Sequence, residues 1–320
     1  MLKWAPVIFI AWKKLSSRTK LLAKAIGVDI VFYKSKVLYV DSAVRTLVHL
    51  LRVKPKAVLL QLPQGPLLLL IVFVKRILGF RVIVDAHSGF LVHEDLKNLF
   101  LNFPFKGLLR YVDLIIVHNY YASALLPRNV LDKTIVVYDP WYVIEEMSKE
   151  YCKGVEQNYI VIPASYALDE PLHEFLEAYI ECKPPIKLVV TGNWMKRRDL
   201  YKEYRYHVIF TGYLPVEKYY KLLCECRGVL TGTKREYTAL MSAWEAITFS
   251  KPLAVNYTKT LAQLYKGYAV FYDYNEKQSI CRALKEISNT QVNLLARERL
   301  KRITENQVIV LKKKLSALVM

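Results

Sequence analysis

The sequence lacks an apolar segment long enough to cross a membrane. Its longest uncharged apolar run, PLLLLIVFV at residues 66–74, ends at Lys75 and Arg76, whereas a spanning helix needs about 20 apolar residues. The N-terminal MLKWAPVIFIAWKK has a basic flank but no small-residue cleavage site, and its β-branched residues favour a first strand over a signal peptide. We therefore expect no membrane span and a cytoplasmic location.

Cysteine is present without a recognisable pattern. The five cysteines form no CxxC pair and have no histidine at zinc spacing, so we expect buried thiols and no zinc site. Their odd number weakly disfavours the disulfide framework of a secreted protein. It does not argue against intracellular disulfides of the kind found in hyperthermophiles. The five are Cys152, Cys182, Cys224, Cys226 and Cys281.

Acidic residues are scarce, with 28 Asp and Glu against 47 Lys and Arg, a net charge of +19. Residues 1–56 hold twelve Lys and Arg but only Asp29 and Asp41. This basic segment indicates either a solubilising surface or attraction to anionic lipid or nucleic acid. The sequence has no helix-turn-helix, zinc or RNP pattern, and its aromatics do not interleave with the basic run, so we expect no nucleic-acid partner.

Short β-branched runs alternate with helix-length stretches, which is typical of parallel sheets built from βαβ units. The pattern predicts an α/β protein with two domains: residues 1–145, residues 146–290, and closing helices over 291–320. A single helix is predicted over 94–111, and one or two over 291–314. The predicted strands are 7–12, 29–34, 57–62, 81–86, 114–119, 134–139, 159–164, 186–192, 208–213, 228–233, 252–257 and 269–274.

Ligands of such sheets lie just past the carboxyl ends of the strands. In the first domain this places residues 12–17, 61–65 and 86–90, with Asn119, along a crevice. In the second domain three strands end in Thr-Gly, at residues 191–192, 211–212 and 231–232. Because glycine lets backbone approach a ligand closely, these pairs indicate a nucleotide crevice, with ordinary turns as the alternative.

The segment VIFTGYLPVEKYYKLLCECRGVLTGTKREYTALMSAWEAITFSKPLAV, residues 208–255, resembles the donor domain of GT-B glycosyltransferases. That resemblance implies two Rossmann-like domains with parallel sheets facing across a cleft. It also implies that Glu245, an acid within an apolar helix, binds the ribose of a nucleotide sugar. The alternative is that Glu245 caps the helix or pairs with a cation such as Lys251. An earlier family glutamate is matched by Tyr237, with Glu236 one residue away.

Four further stretches are similar to the β-1,4-mannosyltransferases that add the first mannose to a chitobiose lipid: PASYALDEPLHEFLEAY, TIVVYDPWYV, LGFRVIVDAHSGFLVHEDL and YVDLIIVHNYYASALL. This resemblance implies inverting transfer from a nucleotide sugar, with GDP-mannose favoured, to a lipid-linked or glycan acceptor. It places the enzyme at the inner face of the membrane, where the basic segment with Trp4 and Trp12 and the apolar helix at 66–74 would hold it by charge and shallow insertion.

Inverting transfer needs a base for the acceptor hydroxyl and positive groups for the leaving diphosphate. His87 is the first candidate base, oriented by Asp85, with a turn histidine bonded to backbone as the alternative. Glu94 is a second candidate, and Glu236 could reach the sugar from its loop. No DxD pair is present, so we expect no metal and no cofactor beyond the GDP- or UDP-linked donor.

Cations of two loops are candidates for holding the diphosphate, with solvated surface as the alternative. The complete predicted donor set is Gly192, Asn193, Lys196, Arg197, Gly212, Tyr213, Thr233, Lys234, Arg235, Tyr237, Thr238 and Glu245. The predicted acceptor set is Trp12, Ser17, Gln64, Ser88 and Gly89. Rival functions are a nucleotide-sugar-binding subunit without activity, a non-hydrolysing epimerase and a basic nucleic-acid-binding protein.

Overall fold

A computed structural model describes residues 7–34, 39–92, 96–145, 150–152, 154 and 156–320. It divides the chain into two compact units, Met1–Pro140 with Arg302–Met320, and Trp141–Lys301. We call these unit 1 and unit 2. None of the helices in the described part of the chain is long and apolar enough to span a membrane.

Unit 1 is built on a six-stranded parallel sheet in the order β2-β1-β3-β4-β5-β6. Its strands are β1 (Val7–Trp12), β2 (Asp29–Tyr33), β3 (Ala57–Leu62), β4 (Arg81–Ala86), β5 (Leu114–Val117) and β6 (Thr134–Val136). Its α-helices are Ser17–Ile26, Val40–Val53, Gly65–Leu78, Ser88–Leu91, Leu96–Asn102 and Tyr120–Ser123. All residues of β1 and β3 are buried, as expected of parallel strands covered on both faces.

The first helix shows how local sequence sets an element boundary. The Ser16 side chain accepts a hydrogen bond of 3.0 Å from the Thr19 backbone N–H, which satisfies one of the donors left open at a helix start. At the other end Gly27 has φ +75°, the left-handed conformation that glycine adopts readily. The Ser16 cap fixes the first turn, in which Arg18 lies.

The helix predicted over 94–111 is wrong as a single element. An α-helix ends at Asn102 and a 3₁₀-helix occupies Phe103–Tyr111. Pro104 stands in the first turn of that 3₁₀-helix. Proline supplies no N–H and disfavours helical backbone at the residue before it, so the α-helix stops there.

Unit 2 has a second six-stranded parallel sheet, in the order β12-β11-β10-β7-β8-β9. Its strands are β7 (Tyr159–Ile162), β8 (Lys187–Thr191), β9 (Ile209–Gly212), β10 (Gly228–Thr231), β11 (Leu253–Asn256) and β12 (Val270–Tyr272). Its α-helices are Leu172–Cys182, Arg198–Tyr204, Val216–Glu225, Met241–Thr248, Lys259–Tyr265 and Lys277–Asn289. One last helix, Leu294–Val319, begins in unit 2 and ends in unit 1.

Every predicted strand overlaps an observed one, which confirms the α/β class with two parallel sheets. The helix Arg198–Tyr204 was missed. It lies in a run of alternating charge, RRDLYKEY, of which Leu200 and Tyr204 are buried. Two buried residues over seven positions give too weak an apolar periodicity for a sequence-based prediction.

The prediction of five free thiols is wrong for four of them. Cys152 is bonded to Cys224 and Cys182 to Cys281, across 72 and 99 residues of sequence. Cys226 is free and buried. Because both pairs join elements that are distant in sequence, no local spacing such as CxxC predicts them.

Candidate functional site

A cavity of about 480 Å³ opens at the carboxyl edge of the unit 2 sheet. Its wall comes from the loops after β7, β8 and β9 and from the turn before the helix Met241–Thr248. This is the edge at which open α/β sheets bind ligands, and the volume is in the range of small-molecule sites. The lining includes four predicted donor residues and four residues not predicted: Gly192, Asn193, Lys196, Tyr213, Ser165, Glu170, Tyr219 and Ser242.

Glycine at two of the three Thr-Gly ends is explained by contacts within the protein. Gly192 has φ +92°, and a Cβ there would lie 1.9 Å from the Ala164 carbonyl oxygen. A Cβ on Gly232 would lie 2.6 Å from the Asn256 side chain. Gly212 has φ +73°, and a Cβ there would lie in ordinary contact with Trp194 Nε1 at 3.9 Å. Ligand approach is therefore not needed to explain Gly192 or Gly232, although Gly192 lines the cavity.

Glu170 organises the loop after β7 at the cavity wall. Its carboxylate accepts hydrogen bonds from the backbone N–H groups of Ser165 at 3.0 Å and Tyr166 at 2.9 Å. Burial raises the pKa of Glu170, against the opposing effect of these bonds. Lys196, which follows β8, donates a hydrogen bond of 2.7 Å from Nζ to the Ser165 carbonyl oxygen on this loop. The cavity therefore has both a carboxylate and an ammonium group in its wall.

Glu245 is linked to the cavity through Tyr219. The Tyr219 hydroxyl, in the wall, donates a hydrogen bond of 2.6 Å to Glu245 Oε2. Burial raises the pKa of Glu245 to about 7, with the Tyr219 bond acting in the opposite direction. The alternative pairing with Lys251 is wrong, because Lys251 Nζ lies 3.6 Å from Glu156 instead. Tyr219 was not singled out from the sequence.

The cations predicted to hold diphosphate have carboxylate partners. Lys234 Nζ lies 2.5 Å from Glu174, and Arg235 lies 3.6 Å from Asp169. Asp169 also accepts a hydrogen bond of 2.8 Å from the buried Thr233 hydroxyl. These contacts hold the loop after β10 against the start of the first helix of unit 2, so a phosphate would compete with carboxylates for Lys234 and Arg235.

The remaining predicted donor residues are placed as follows. Arg197 is paired with Asp199 at 2.7 Å. Glu236 accepts a hydrogen bond of 3.0 Å from the Thr260 backbone N–H in the first turn of the helix Lys259–Tyr265, which is a capping contact. Tyr237 and Thr238 lie half-buried in the loop that leads to the helix Met241–Thr248.

Unit 1 contains a buried charge cluster centred on Arg18. Its Nη2 lies 2.9 Å from Asp85 Oδ1, and its Nη1 lies 3.0 Å from Asp139 Oδ1. Burial alone would raise the pKa of Asp85, but Arg18 and His87 outweigh it and hold that pKa well below its usual range. Burial, followed by the charge of Arg18, lowers the pKa of His118 to about 4. Asp85 is therefore ionised and His118 neutral near pH 7.

His87 is oriented by this cluster. Its Nε2 lies 2.8 Å from Asp85 Oδ2, and its side chain keeps 17% of its surface exposed. Because an ionised carboxylate only accepts hydrogen bonds, Nε2 carries the ring proton and Nδ1 of the neutral ring carries the lone pair. The geometry equips His87 to take a proton at Nδ1. Arg18, which anchors Asp85, was missed by the sequence reasoning.

The predicted acceptor residues divide into exposed and buried groups. Ser17 is exposed, and Ser88 and Gly89 are half-buried at the start of the helix Ser88–Leu91. The prediction that Trp12 contacts the acceptor is wrong, because Trp12 is fully buried and its Nε1 donates a hydrogen bond of 2.9 Å to Thr46. Gln64 is buried too, and its amide nitrogen donates to the Trp12 carbonyl oxygen.

Two predicted positions remain, Asn119 and Glu94. Asn119 is fully buried and caps the helix Tyr120–Ser123 through the Ala122 backbone N–H at 2.7 Å. Glu94 lies outside the described residues. Among the residues that are described, no group of three or more His, Cys, Asp or Glu side chains could hold a metal ion.

Comparison with known proteins gives one curated relative and many structural neighbours. No protein-family model matches the sequence. The O-antigen chain mannosyltransferase C of Escherichia coli is 24% identical over 225 residues, which cover 66% of this chain and 60% of that protein. The chain thus spans less than two thirds of that relative's length.

The solved structures identify the fold. Anabaena HepE in complex with UDP and glucose has a TM-score of 0.72 at 14% identity, with 98% of each chain covered. Sucrose-phosphate synthase of Thermosynechococcus elongatus has a TM-score of 0.67 at 12% identity, covering 98% of this chain and 97% of that one. The chain therefore has the GT-B fold of two Rossmann-like units.

Proposed function

We propose that this chain is a glycosyltransferase that moves a hexose from a nucleotide sugar to a lipid-linked or glycan acceptor, without a bound metal. The observation that carries the proposal is the cavity at the carboxyl edge of the unit 2 sheet, with Tyr219 in its wall and Glu245 bonded to that tyrosine. The fold agrees with this role, although fold alone does not fix a reaction.

Donor binding is assigned to unit 2. A carboxylate is a strong acceptor for the two hydroxyls of a ribose, and Glu245 is the acid that the resemblance assigns to that contact. Lys196 lies at the cavity wall and would receive the diphosphate, whose charge an ammonium group stabilises. Lys234 and Arg235 would join it on release from Glu174 and Asp169.

The acid–base role is assigned to unit 1. In the transfer step the acceptor oxygen bonds to the anomeric carbon, the bond from that carbon to the diphosphate breaks, and the diphosphate leaves with the electron pair. The acceptor proton passes to Nδ1 of His87. The ionised Asp85 stabilises the imidazolium that forms, since it already accepts from Nε2.

GDP-mannose is the favoured donor. The mannosyl part is supported by the activity named for the Escherichia coli relative. The guanine base is supported by the similarity of four stretches of the sequence to β-1,4-mannosyltransferases. UDP-linked donors are the rival, since the Anabaena neighbour was solved with UDP. We further propose that the enzyme acts in the cytoplasm, peripherally at the inner face of the membrane.

A thermal-shift panel of GDP, UDP, GDP-mannose and UDP-glucose tests the proposal. A ligand at a hundred times its dissociation constant stabilises a protein by about 2.7 kcal/mol. We expect GDP and GDP-mannose to raise Tm. A rise with the UDP compounds alone would overturn the donor preference, and no rise with any of the four would overturn nucleotide-sugar binding.

A nucleotide-sugar-binding subunit without activity is a second candidate. It is favoured by Tyr237, which stands where the resembled family has an acid, and by Glu236, whose carboxylate caps a helix. The two candidates differ in one measurement. Release of GDP from GDP-mannose that depends on a lipid-linked acceptor supports the transferase, and donor binding with no such release supports the inactive subunit.

A further inference from the structure

One layer of helices in unit 1 carries apolar side chains on its outer surface. The helices Val40–Val53 and Gly65–Leu78 connect β2 to β3 and β3 to β4. Both crossovers run in the same direction across the sheet, and since such crossovers are right-handed, both helices cover the same face. They also contact one another. Their outward sides therefore form one continuous surface.

That surface is apolar in two stripes. On the first helix Val44, Val48 and Leu51 are exposed, and on the second Leu69, Phe73 and Ile77 are exposed at every fourth position. Phe73 and Ile77 keep 65% and 71% of their surface accessible. We call these six residues the apolar face. Side chains three or four positions apart lie on one side of a helix, so each stripe is continuous.

The helix Lys277–Asn289 of unit 2 gives a contrast to the apolar face. On the helix Lys277–Asn289 of unit 2, every exposed position is polar: Lys277, Gln278, Arg282, Lys285, Glu286 and Asn289. The usual amphipathic helix follows that pattern, with charge on the solvent side. Contiguous exposed apolar surface marks an interaction site, so we infer that the apolar face binds a partner.

Cations surround the apolar face. Arg45, Arg52, Lys54 and Arg76 are exposed on the same two helices or just after them. Within the described part of the chain, none of these four has a carboxylate partner. Over residues 39–111 the sequence has ten basic and four acidic residues. The occupant is therefore expected to combine an apolar interior with a negatively charged surface.

We propose that the apolar face binds an anionic lipid bilayer, with Phe73 and Ile77 entering the boundary between headgroups and acyl chains and the arginines contacting lipid phosphates. Apolar insertion and basic charge together are what holds a peripheral protein at such a surface. A second copy of the chain fits less well, because a two-fold interface uses the same patch on both copies and would bring two cation-rimmed faces together.

The inference deepens the proposed function, and rests on it for the lipid-linked acceptor that such a surface would bring within reach. The binding itself is measured without donor or acceptor. Sedimentation with vesicles of phosphatidylcholine and phosphatidylglycerol, against phosphatidylcholine alone, is the direct test. We expect binding to the anionic vesicles at about 50 mM salt and release at about 500 mM, because salt screens exposed charges.

Matched variants distinguish binding through the apolar face from nonspecific hydrophobic adsorption to vesicles. Phe73→Ser with Ile77→Ser should reduce partition into anionic vesicles by about tenfold or more, since each side chain loses its transfer free energy. Tyr206→Ser with Leu295→Ser removes two side chains that are 78% and 85% exposed in unit 2 and should change nothing. Arg45→Gln with Arg52→Gln should weaken binding to anionic vesicles and reduce its salt dependence.

Each outcome bears on the inference separately from the proposed function. Vesicle binding by both serine double variants at the wild-type level would overturn it. So would a wild-type dimer in sedimentation that the Phe73→Ser, Ile77→Ser variant makes monomeric, because the occupant would then be a second copy. Stabilisation by GDP-mannose without vesicle binding would support the proposed function and overturn the membrane surface. Vesicle binding without stabilisation by GDP-mannose would support the membrane surface and overturn nucleotide-sugar binding. Circular dichroism and an unchanged Tm establish that each variant is folded.

Discussion

The hydroxyl of Tyr219 donates a hydrogen bond of 2.6 Å to Oε2 of Glu245. Tyr219 lies in the cavity wall, whereas Glu245 is on the apolar helix Met241–Thr248. The bond explains how an acid is tolerated on that helix with no ligand bound, because a buried carboxylate needs a donor. It also identifies a partner that donor binding would have to replace or share.

Glu245→Gln should weaken binding of the nucleotide-sugar donor by about 10- to 100-fold, the range for loss of a hydrogen bond to a charged group. Folding should be retained, since glutamine keeps the shape of the side chain and accepts from Tyr219. Calorimetric titration with the donor measures the effect, and Tyr219→Phe is compared with it because that variant removes the bond to Glu245 and keeps the carboxylate. Wild-type affinity in Glu245→Gln would remove the proposed ribose contact.

The same carboxyl predicts a pH dependence of stability. Burial raises the pKa of Glu245 from 4.5 to about 7, so between these values the folded state binds the proton that the unfolded state has lost. Stability from this group is therefore fully present below about pH 4.5 and decreases as pH rises through 7. The Tm of the wild type minus that of Glu245→Gln should fall between pH 5 and 8. A difference that stays constant with pH would contradict the raised pKa.

Arg18→Met should destabilise unit 1 by about 3–5 kcal/mol, because it leaves the buried Asp85 and Asp139 without their cation. Arg18→Lys should restore little of the loss, since an ammonium group cannot match the fork that contacts both carboxylates. Urea denaturation measures both variants. The exposed Arg52→Met is the control, with an expected change within about 0.5 kcal/mol. A small effect of Arg18→Met would show that the cluster does not support the fold.

His87→Ala should lower turnover by about 10² or more while donor affinity is kept, on the scale of losing a general base. The measurement is initial rate with a lipid-linked acceptor, alongside donor titration. His207→Ala, at an exposed position of unit 2, serves as the control and should leave the rate unchanged. Near-normal turnover in His87→Ala would assign the base to another residue, such as Glu94.

The strands were predictable because the local apolar pattern of the sequence indicates which residues are buried. Runs such as VIFIAW and AVLLQL are apolar on both faces, and the structure buries every residue of each. The Arg18 cluster was not predictable, since Arg18 and Asp139 lie 121 residues apart and meet only through the fold. Tyr219 was missed for a similar reason, because its partner Glu245 lies 26 residues away on another helix. Glu170 was missed although its partners Ser165 and Tyr166 are close in sequence, because no motif indicates that the loop after β7 folds back onto its carboxylate.

The cysteine pairs give a final prediction that local sequence did not offer. In the chain-entropy account a bond closing a loop of about 100 residues restricts the unfolded chain by roughly 4–5 kcal/mol, and measured losses are typically 2–5. Cys182→Ser, which opens the 99-residue loop to Cys281, should therefore lower the free energy of unfolding by about 2–4 kcal/mol. Cys226→Ser, at the free cysteine, is the matched control and should not change the thiol pairing.

Alkylation of the denatured protein counts the thiols directly. Without reductant only Cys226 should react, and after reduction all five cysteines should. If five thiols react before reduction, the chain holds no disulfide, and the expectation of free thiols would be restored. The Cys182→Ser variant should then be close to wild type in stability, because no loop would be opened by the substitution.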